Sequence, residues 1–246
     1  MTELRTQTIE IHELENLDLS TVSEKGQRFY TDSTGKIKYP SVTTVVGLKN
    51  REQIKLWRER VGSEEANRIT KYATNRGTNF HEKVEQYLRK EVPYIEFDNL
   101  IEEGMFKGIK PVLDEITPIA LEAPLYSDHL KMAGRVDCIG ILDGALSIID
   151  FKTSSKYKKE EYADTYYLQM TAYAIMVEEL TGKPVDDIVA LVALENGHFQ
   201  LFVANPIDYV DELMELRTRY KNLYGCLLYT SPSPRDLSTS RMPSSA

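Results

Sequence analysis

The sequence predicts an α+β fold: a central mixed β-sheet flanked by helices. Three observations predict it. Apolar residues recur at helical spacing over much of residues 51–116. A strand block follows at 119–152, with alternating apolar residues and an Asp143-Gly144 hairpin turn. A long helix, a hairpin around Asn196-Gly197 and a last helix complete the string.

Residues 1–38 read as a polar lead-in with short strands, such as 27–30, and a turn at 33–35. Residues 39–47 are rich in valine and threonine and read as a short β segment ending at Gly47. In 51–72, Ile54, Trp57 and Val61 are spaced for one helical face. Gly62 interrupts, and Ser63 is placed as the N-cap of a second helix. Gly77-Thr78 opens a further helix, with Phe80, Val84, Tyr87 and Leu88 on its apolar face and a stop near Lys90. Residues 100–116 are helical, with a kink or break at Pro111 and a stop at Thr117-Pro118.

In the first strand of the block, Ile119, Leu121, Ala123 and Leu125 alternate with Ala120, Glu122, Pro124 and Tyr126. The second and third strands cover 131–142 and 145–152. An amphipathic helix is expected from Lys158 to Leu180, stopped by Gly182 and Pro184. Residues 188–194 and 198–204 form the second hairpin. Pro206 takes the first position of a helix running to 224.

The chain has 246 residues, 41% of them hydrophobic and 28% charged, as expected of one globular domain. No apolar run approaches the roughly 20 residues that span a bilayer. The acidic N-terminus shows no targeting signal, so the expected setting is intracellular and cytoplasmic. Two cysteines, Cys138 and Cys226, are too few for a disulfide framework, a zinc site or an iron–sulfur cluster.

Net charge is -8, which argues against nonspecific coating of nucleic acid. Residues 49–76 run the other way, with eight basic and four acidic side chains. That stretch is either a solvated helical face or a phosphate-facing one. Residues 226–246 contain six Ser and three Pro without periodicity. They resemble translated adapter or vector read-through, so the single domain is expected to be 1–225.

The chemistry centres on Gly134-Arg-Val-Asp137, then twelve residues, then Asp150-Phe-Lys152. Alternation along a strand puts Asp150 and Lys152 on one face, roughly 6–7 Å apart. A hairpin turning at Asp143-Gly144 pairs residues whose numbers sum to about 287, setting Asp137 opposite Asp150. Two carboxylates so placed repel unless a cation joins them. Mg²⁺ or Mn²⁺ suits that need and can activate a water. Lys152 can orient or deprotonate the water and counter developing charge. By itself Asp-x-Lys is a common accident, but here it lies within strand sequence that should be buried. His81 and Glu85 share a helix face, as do Gln169 and Tyr173, and Glu122 is out of phase with its apolar neighbours.

In that order, His81, Glu122, Gly134-x-x-Asp137, Asp150-x-Lys152 and Gln169-x-x-x-Tyr173 resemble the RecB-type branch of the PD-(D/E)XK nucleases. The resemblance covers about 39–220. Residues 40–43, 121–122, 136–138 and 149–154 most resemble the mitochondrial genome-maintenance group of that branch and its phage and bacterial relatives. Val136 stands where the superfamily's nominal proline would be.

The resemblance implies a restriction-endonuclease-like core at 119–204 and an N-terminal helical arch at 50–90 that a single strand threads. It implies Asp137, Asp150, His81 and the Phe151 carbonyl as metal ligands, with Lys152 catalytic. Glu122 would be an outer or second-metal ligand. Gln169 and Tyr173 would hold the site and contact the DNA backbone. The DNA-contact candidates are Arg51, Lys55, Arg58, Arg76, Ser41 and Thr43, and Trp57 and Tyr72 are aromatics available for stacking. The expected activity is exonuclease action on single-stranded DNA ends with Mg²⁺ or Mn²⁺ and no iron–sulfur cluster. The alternatives are resection of duplex ends for recombination and a catalytically silent DNA-binding module.

Overall fold

At Asp143-Gly144 both residues adopt left-handed backbone, with φ of 51° and 81°. Such a turn suits the twist of a two-residue hairpin, and glycine takes it without strain. Around this hairpin, the computed structural model describes residues 8–160 and 163–228, the last three by backbone alone.

The chain opens with a 3₁₀ turn at Ile11–Asn16 and a small antiparallel sheet: β1 (Ser20–Glu24), β2 (Gln27–Thr31) and β3 (Lys38–Pro40). Helices α1 (Val42–Val46), α2 (Arg51–Val61), α3 (Ser63–Arg89) and α4 (Leu100–Leu113) follow. Then come β4 (Thr117–Ser127), β5 (Met132–Leu142), β6 (Ala145–Ser154), α5 (Asp164–Thr181), β7 (Asp187–Leu194), β8 (Phe199–Ala204) and α6 (Val210–Leu228). The five-stranded sheet has order β4-β5-β6-β7-β8. Only β6 and β7 pair in parallel, because α5 carries the chain across between them. The fold is therefore the α+β arrangement with a mixed central sheet that the sequence predicts.

Helices cover both faces of this sheet. Phe80, Val84 and Leu88 of α3 join Met105, Phe106, Ile109 and Leu113 of α4 against Cys138, Ile149, Phe151 and Leu191. On the other face α1 and α5 pack against Val136, Ile139, Ile148, Ile188 and Ala190, and α6 packs on α1 and α5. Among the described residues no helix is long and apolar enough to cross a membrane.

Several local expectations are corrected. Residues 42–46 form α1, not a strand. Ser41 accepts the Thr44 N–H at 3.1 Å as N-cap, and Val42, Val45 and Val46 are buried, so packing overrides β propensity. Gly77 does not open a new helix. It lies inside the 27-residue α3, whose start is capped by Gly62, with Ser63 already helical. Pro111 sits within α4, which ends at Leu113.

Helix α5 begins at Asp164 rather than Lys158. It is buried around most of its circumference rather than amphipathic. The predicted face of α2 is not a core face, since none of its residues is buried, and Trp57 is half-buried. Pro206 opens a 3₁₀ turn, Pro206–Tyr209, that leads into α6. The expected foreign tail and Cys226 lie outside the described side chains.

Candidate active site

The site forms where the sheet loses its regular pleat. Leu121 and Cys138 pack on the α3/α4 face, while Ala123 and Val136, two residues away, pack on the α5 face. Both strands therefore change phase at one level, at Glu122 and Asp137, and the simple alternation read from 119–125 breaks there. Glu122 makes the change in left-handed backbone, φ 50°. A non-glycine residue held so carries strain that the surroundings must offset.

The surroundings are visible. The Leu121 N–H donates to Glu15 Oε1 at 2.5 Å, and its carbonyl accepts from Arg89 Nη2 at 2.9 Å. Arg89 pairs in turn with Glu15 at 3.0 Å and Glu85 at 2.9 Å. The free edge of β4 is thus fastened by side chains just before the strained residue.

Strand β5 also leaves β6 here. Their ladder runs from Leu142↔Ala145 to Cys138↔Ile149 and goes no further, while β6 continues along β7 to Ser154. The expected opposition of Asp137 and Asp150 is the next rung, and it is replaced by a side-chain bond. Phe151 N–H donates to Asp137 Oδ2 at 3.0 Å.

Into this opening α3 sends His81, whose Nδ1 lies 3.4 Å from Asp137 Oδ2. His81, Glu122 and Asp137 each offer a ligand atom, all within 4.8 Å of one another. They line a cleft of about 620 Å³ with Glu82, Glu85, Gln169, Tyr173, Arg28, Arg135, Tyr30 and Thr43.

Asp150 and Lys152 stand beside that triad on the α5 side, sharing a face as alternation requires. Asp150 is 1% exposed. Its Oδ1 accepts from Gln169 Nε2 at 3.3 Å. Its Oδ2 meets Lys152 Nζ at 2.5 Å without hydrogen-bond directionality. Lys152 lies over the Tyr166 ring, 5.7 Å from its centroid. Ile149 and Phe151 point into the opposite core as expected.

The electrostatics of the cluster suit a bound cation. Burial, then the Asp137 charge, pushes the Glu122 carboxyl up to about 7. Burial likewise raises Asp150, and the Lys152 ammonium offsets only part of this. Burial pulls Lys152 down, yet the Asp150 and Asp137 charges outweigh it and leave it raised. Histidine plus carboxylate oxygens suits a divalent metal ion. In this geometry Glu122 joins the close cluster, whereas Asp150 is turned toward Lys152.

The nucleic-acid candidates divide. Thr43 is exposed at the cleft and accepts from Arg28 at 2.8 Å. Ser41 is 1% exposed and spent on its cap, so its hydroxyl is closed to a ligand. Arg76 is buried, paired with Glu195 and bonded to Thr153 at 3.1 Å, which leaves it a structural cation rather than a free one. Arg51, Lys55 and Arg58 border a separate groove beside α2.

Sequence reasoning missed Arg28, Arg135, Glu15 and Arg89. Arg135 lies inside the Gly134-x-x-Asp137 motif, at a position the motif leaves open. Glu15 lies 106 residues from its Leu121 partner and has no local signal.

A mixed sheet carrying an Asp and an Asp-x-Lys on adjacent strands defines a metal-dependent nuclease class. A sequence profile of the PD-(D/E)XK nuclease superfamily matches residues 98–223, just over half of the chain, and the chain belongs to that superfamily. Mitochondrial genome maintenance exonuclease 1 of Homo sapiens is 30% identical over 129 residues, 48% of this chain and 38% of that protein. The Mus musculus protein of the same name is 31% identical over 145 residues, 54% of this chain and 43% of its own. The chain thus spans less than half the length of these relatives. The solved structure of SSO0001 overlaps 78% of this chain and 77% of its own at 15% identity and a TM-score of 0.39, a likeness too loose to carry an argument.

Proposed function

We propose that this chain is a divalent-metal-dependent DNA exonuclease that acts from free single-stranded ends. The observation that carries the reading is the gathering of His81, Glu122 and Asp137 beside the buried Asp150–Lys152 pair. The names of the two mitochondrial relatives support the exonuclease part.

In this reading His81, Glu122 and Asp137 would hold Mg²⁺ or Mn²⁺, and Asp150, once turned from Lys152, and the Phe151 carbonyl would join them. The ion supplies Lewis acidity at the phosphate and a water of lowered pKa. Lys152, beside Asp150, orients the attacking water and counters negative charge on the phosphate. Gln169 fixes Asp150 and Tyr173 walls the cleft. Arg51, Lys55 and Arg58 on α2, with the exposed Ile54, Leu56 and Tyr72, form the surface over which the strand approaches, the arch of the reading.

End-labelled linear single strands, linear duplex and closed circles, digested with Mg²⁺, Mn²⁺ or EDTA, test the reading. Metal-dependent loss of linear single strands, with circles intact, is the expected result. Cutting of circles removes the end requirement, and no cleavage of any substrate removes the enzyme.

A further inference from the structure

We propose that Arg28 and Arg135 form a subsite for a nucleic-acid phosphate on the cleft wall built by β2 and β5. The inference deepens the nuclease reading and takes the identity of its ligand from it.

Both side chains line the same cleft as His81, Glu122 and Asp137. Among the described residues lining it, they are the only lysines or arginines. A guanidinium presents five donors in a planar fork that matches phosphate oxygens. Arg28 Nη2 donates to Thr43 Oγ1 at 2.8 Å, which aims the group and leaves the rest of the fork available.

Arg135 is 55% exposed in its side chain, and its one ion pair among the described residues is a 3.9 Å approach to Glu122 Oε2. A cation held by Glu122 would take that carboxylate for itself and leave Arg135 facing an anion. Tyr30 lines the cleft together with both arginines.

Their backbones are rigid. Arg135 projects from β5 between buried Gly134 and Val136. Arg28 lies in β2, where its carbonyl accepts from Ser41 N–H at 2.9 Å. The other basic candidates are placed elsewhere: Arg76 is buried in its pair with Glu195, and Arg51, Lys55 and Arg58 serve another groove. A phosphate is the anion proposed, because its oxygens match a guanidinium fork and the same cleft holds the acid cluster of the nuclease reading.

The test is fluorescence anisotropy with a short 3′-labelled single-stranded DNA, bearing either a 5′-phosphate or a 5′-hydroxyl. It is run with Ca²⁺ and again in EDTA, over a series of salt concentrations. Arg28→Gln and Arg135→Gln should each weaken binding by about 3–10-fold and lower the salt slope by about one, and the double variant by about 10–100-fold. Lys107→Gln, exposed on α4 and paired with Glu103, should bind as the parent does.

Loss on both DNAs assigns the subsite to an internal phosphodiester. Loss confined to the phosphorylated DNA assigns it to the terminal phosphate. Parental affinity and slope in the double variant, at an unchanged melting temperature, overturn the subsite. So does a parent protein that binds neither DNA. Because binding is read apart from cleavage, an inactive parent that still loses affinity on substitution removes the nuclease reading and leaves the subsite.

Discussion

Tyr173 leans on the backbone of Gly134. A Cβ at 134 would stand 2.6 Å from Tyr173 Cε1 and 2.9 Å from its hydroxyl oxygen. Neither strand nor helix can shift cheaply, since Gly134 and Tyr173 are both buried. The glycine three residues before Asp137 therefore sets how closely α5 approaches the site. Gly134→Ala should cost about 1–3 kcal/mol, read as a lower urea midpoint. It should also slow cleavage in buffer where the variant is still folded, because Asp137 moves with its strand. A parental midpoint would show that the contact yields.

Lys152→Ala leaves Asp150 buried without its ammonium, and Asp150→Ala removes the carboxylate that Gln169 holds. Each should lower cleavage by at least about 10²–10³-fold while circular dichroism stays native. Lys152→Arg should not rescue, because a planar fork does not replace a compact charge at this position. Retained cleavage in either alanine variant would move the reaction centre elsewhere.

Glu15 and Arg89 act on Glu122 through Leu121. Arg89→Met and Glu15→Gln should weaken Mn²⁺ binding by about 10–100-fold by calorimetry, as loss of a ligand's support commonly does. Arg89→Lys should restore part of this. An equal loss of stability with unchanged Mn²⁺ affinity would reduce the network to edge protection.

Glu122 gives a pH signature in metal-free protein. Its folded value, about 7, exceeds its ordinary 4.5. The folded state therefore binds the extra proton between those values, and its favourable contribution is full below 4.5 and lost as pH rises through about 7. The melting temperature in EDTA should fall across that window. Mn²⁺ should raise it most at the upper end, and Glu122→Gln should flatten the profile. A profile unchanged by Glu122→Gln would assign the slope to another group.

Arg76→Met should behave as a core variant, although the residue lies in a basic run. Removing Arg76 leaves the partly exposed Glu195 without its ion pair, at a cost of about 1–3 kcal/mol. Thermal melts should show this, with DNA affinity of the folded fraction unchanged. A selective loss of affinity would return Arg76 to the nucleic-acid surface.

Strand alternation and the Asp143-Gly144 turn made most of the central sheet readable, because both are local properties of backbone and side chain. They placed Asp150 beside Lys152 and turned Phe151 into the core. The failures have local causes too. Val42 to Val46 read as strand because propensity ignores the Ser41 cap and the core they fill. The apolar positions 119–125 read as one face because nothing in their order announces the phase change at Glu122.

By itself, then, the sequence determined the α+β class, the hairpin that carries the acids, and the ordered set of His81, Asp137, Asp150 and Lys152. The class and the hairpin follow from periodicity and turn chemistry, which act over a few residues, while His81 entered the set through the family resemblance. Only the tertiary structure decided that β5 parts from β6 at Asp137, that Glu122 swings into the cluster under the hold of Glu15 and Arg89, and which arginines face the cleft. Those outcomes depend on contacts between residues up to about a hundred positions apart, whose pairing is set by packing and charge compensation in the folded chain and leaves no mark on neighbouring sequence.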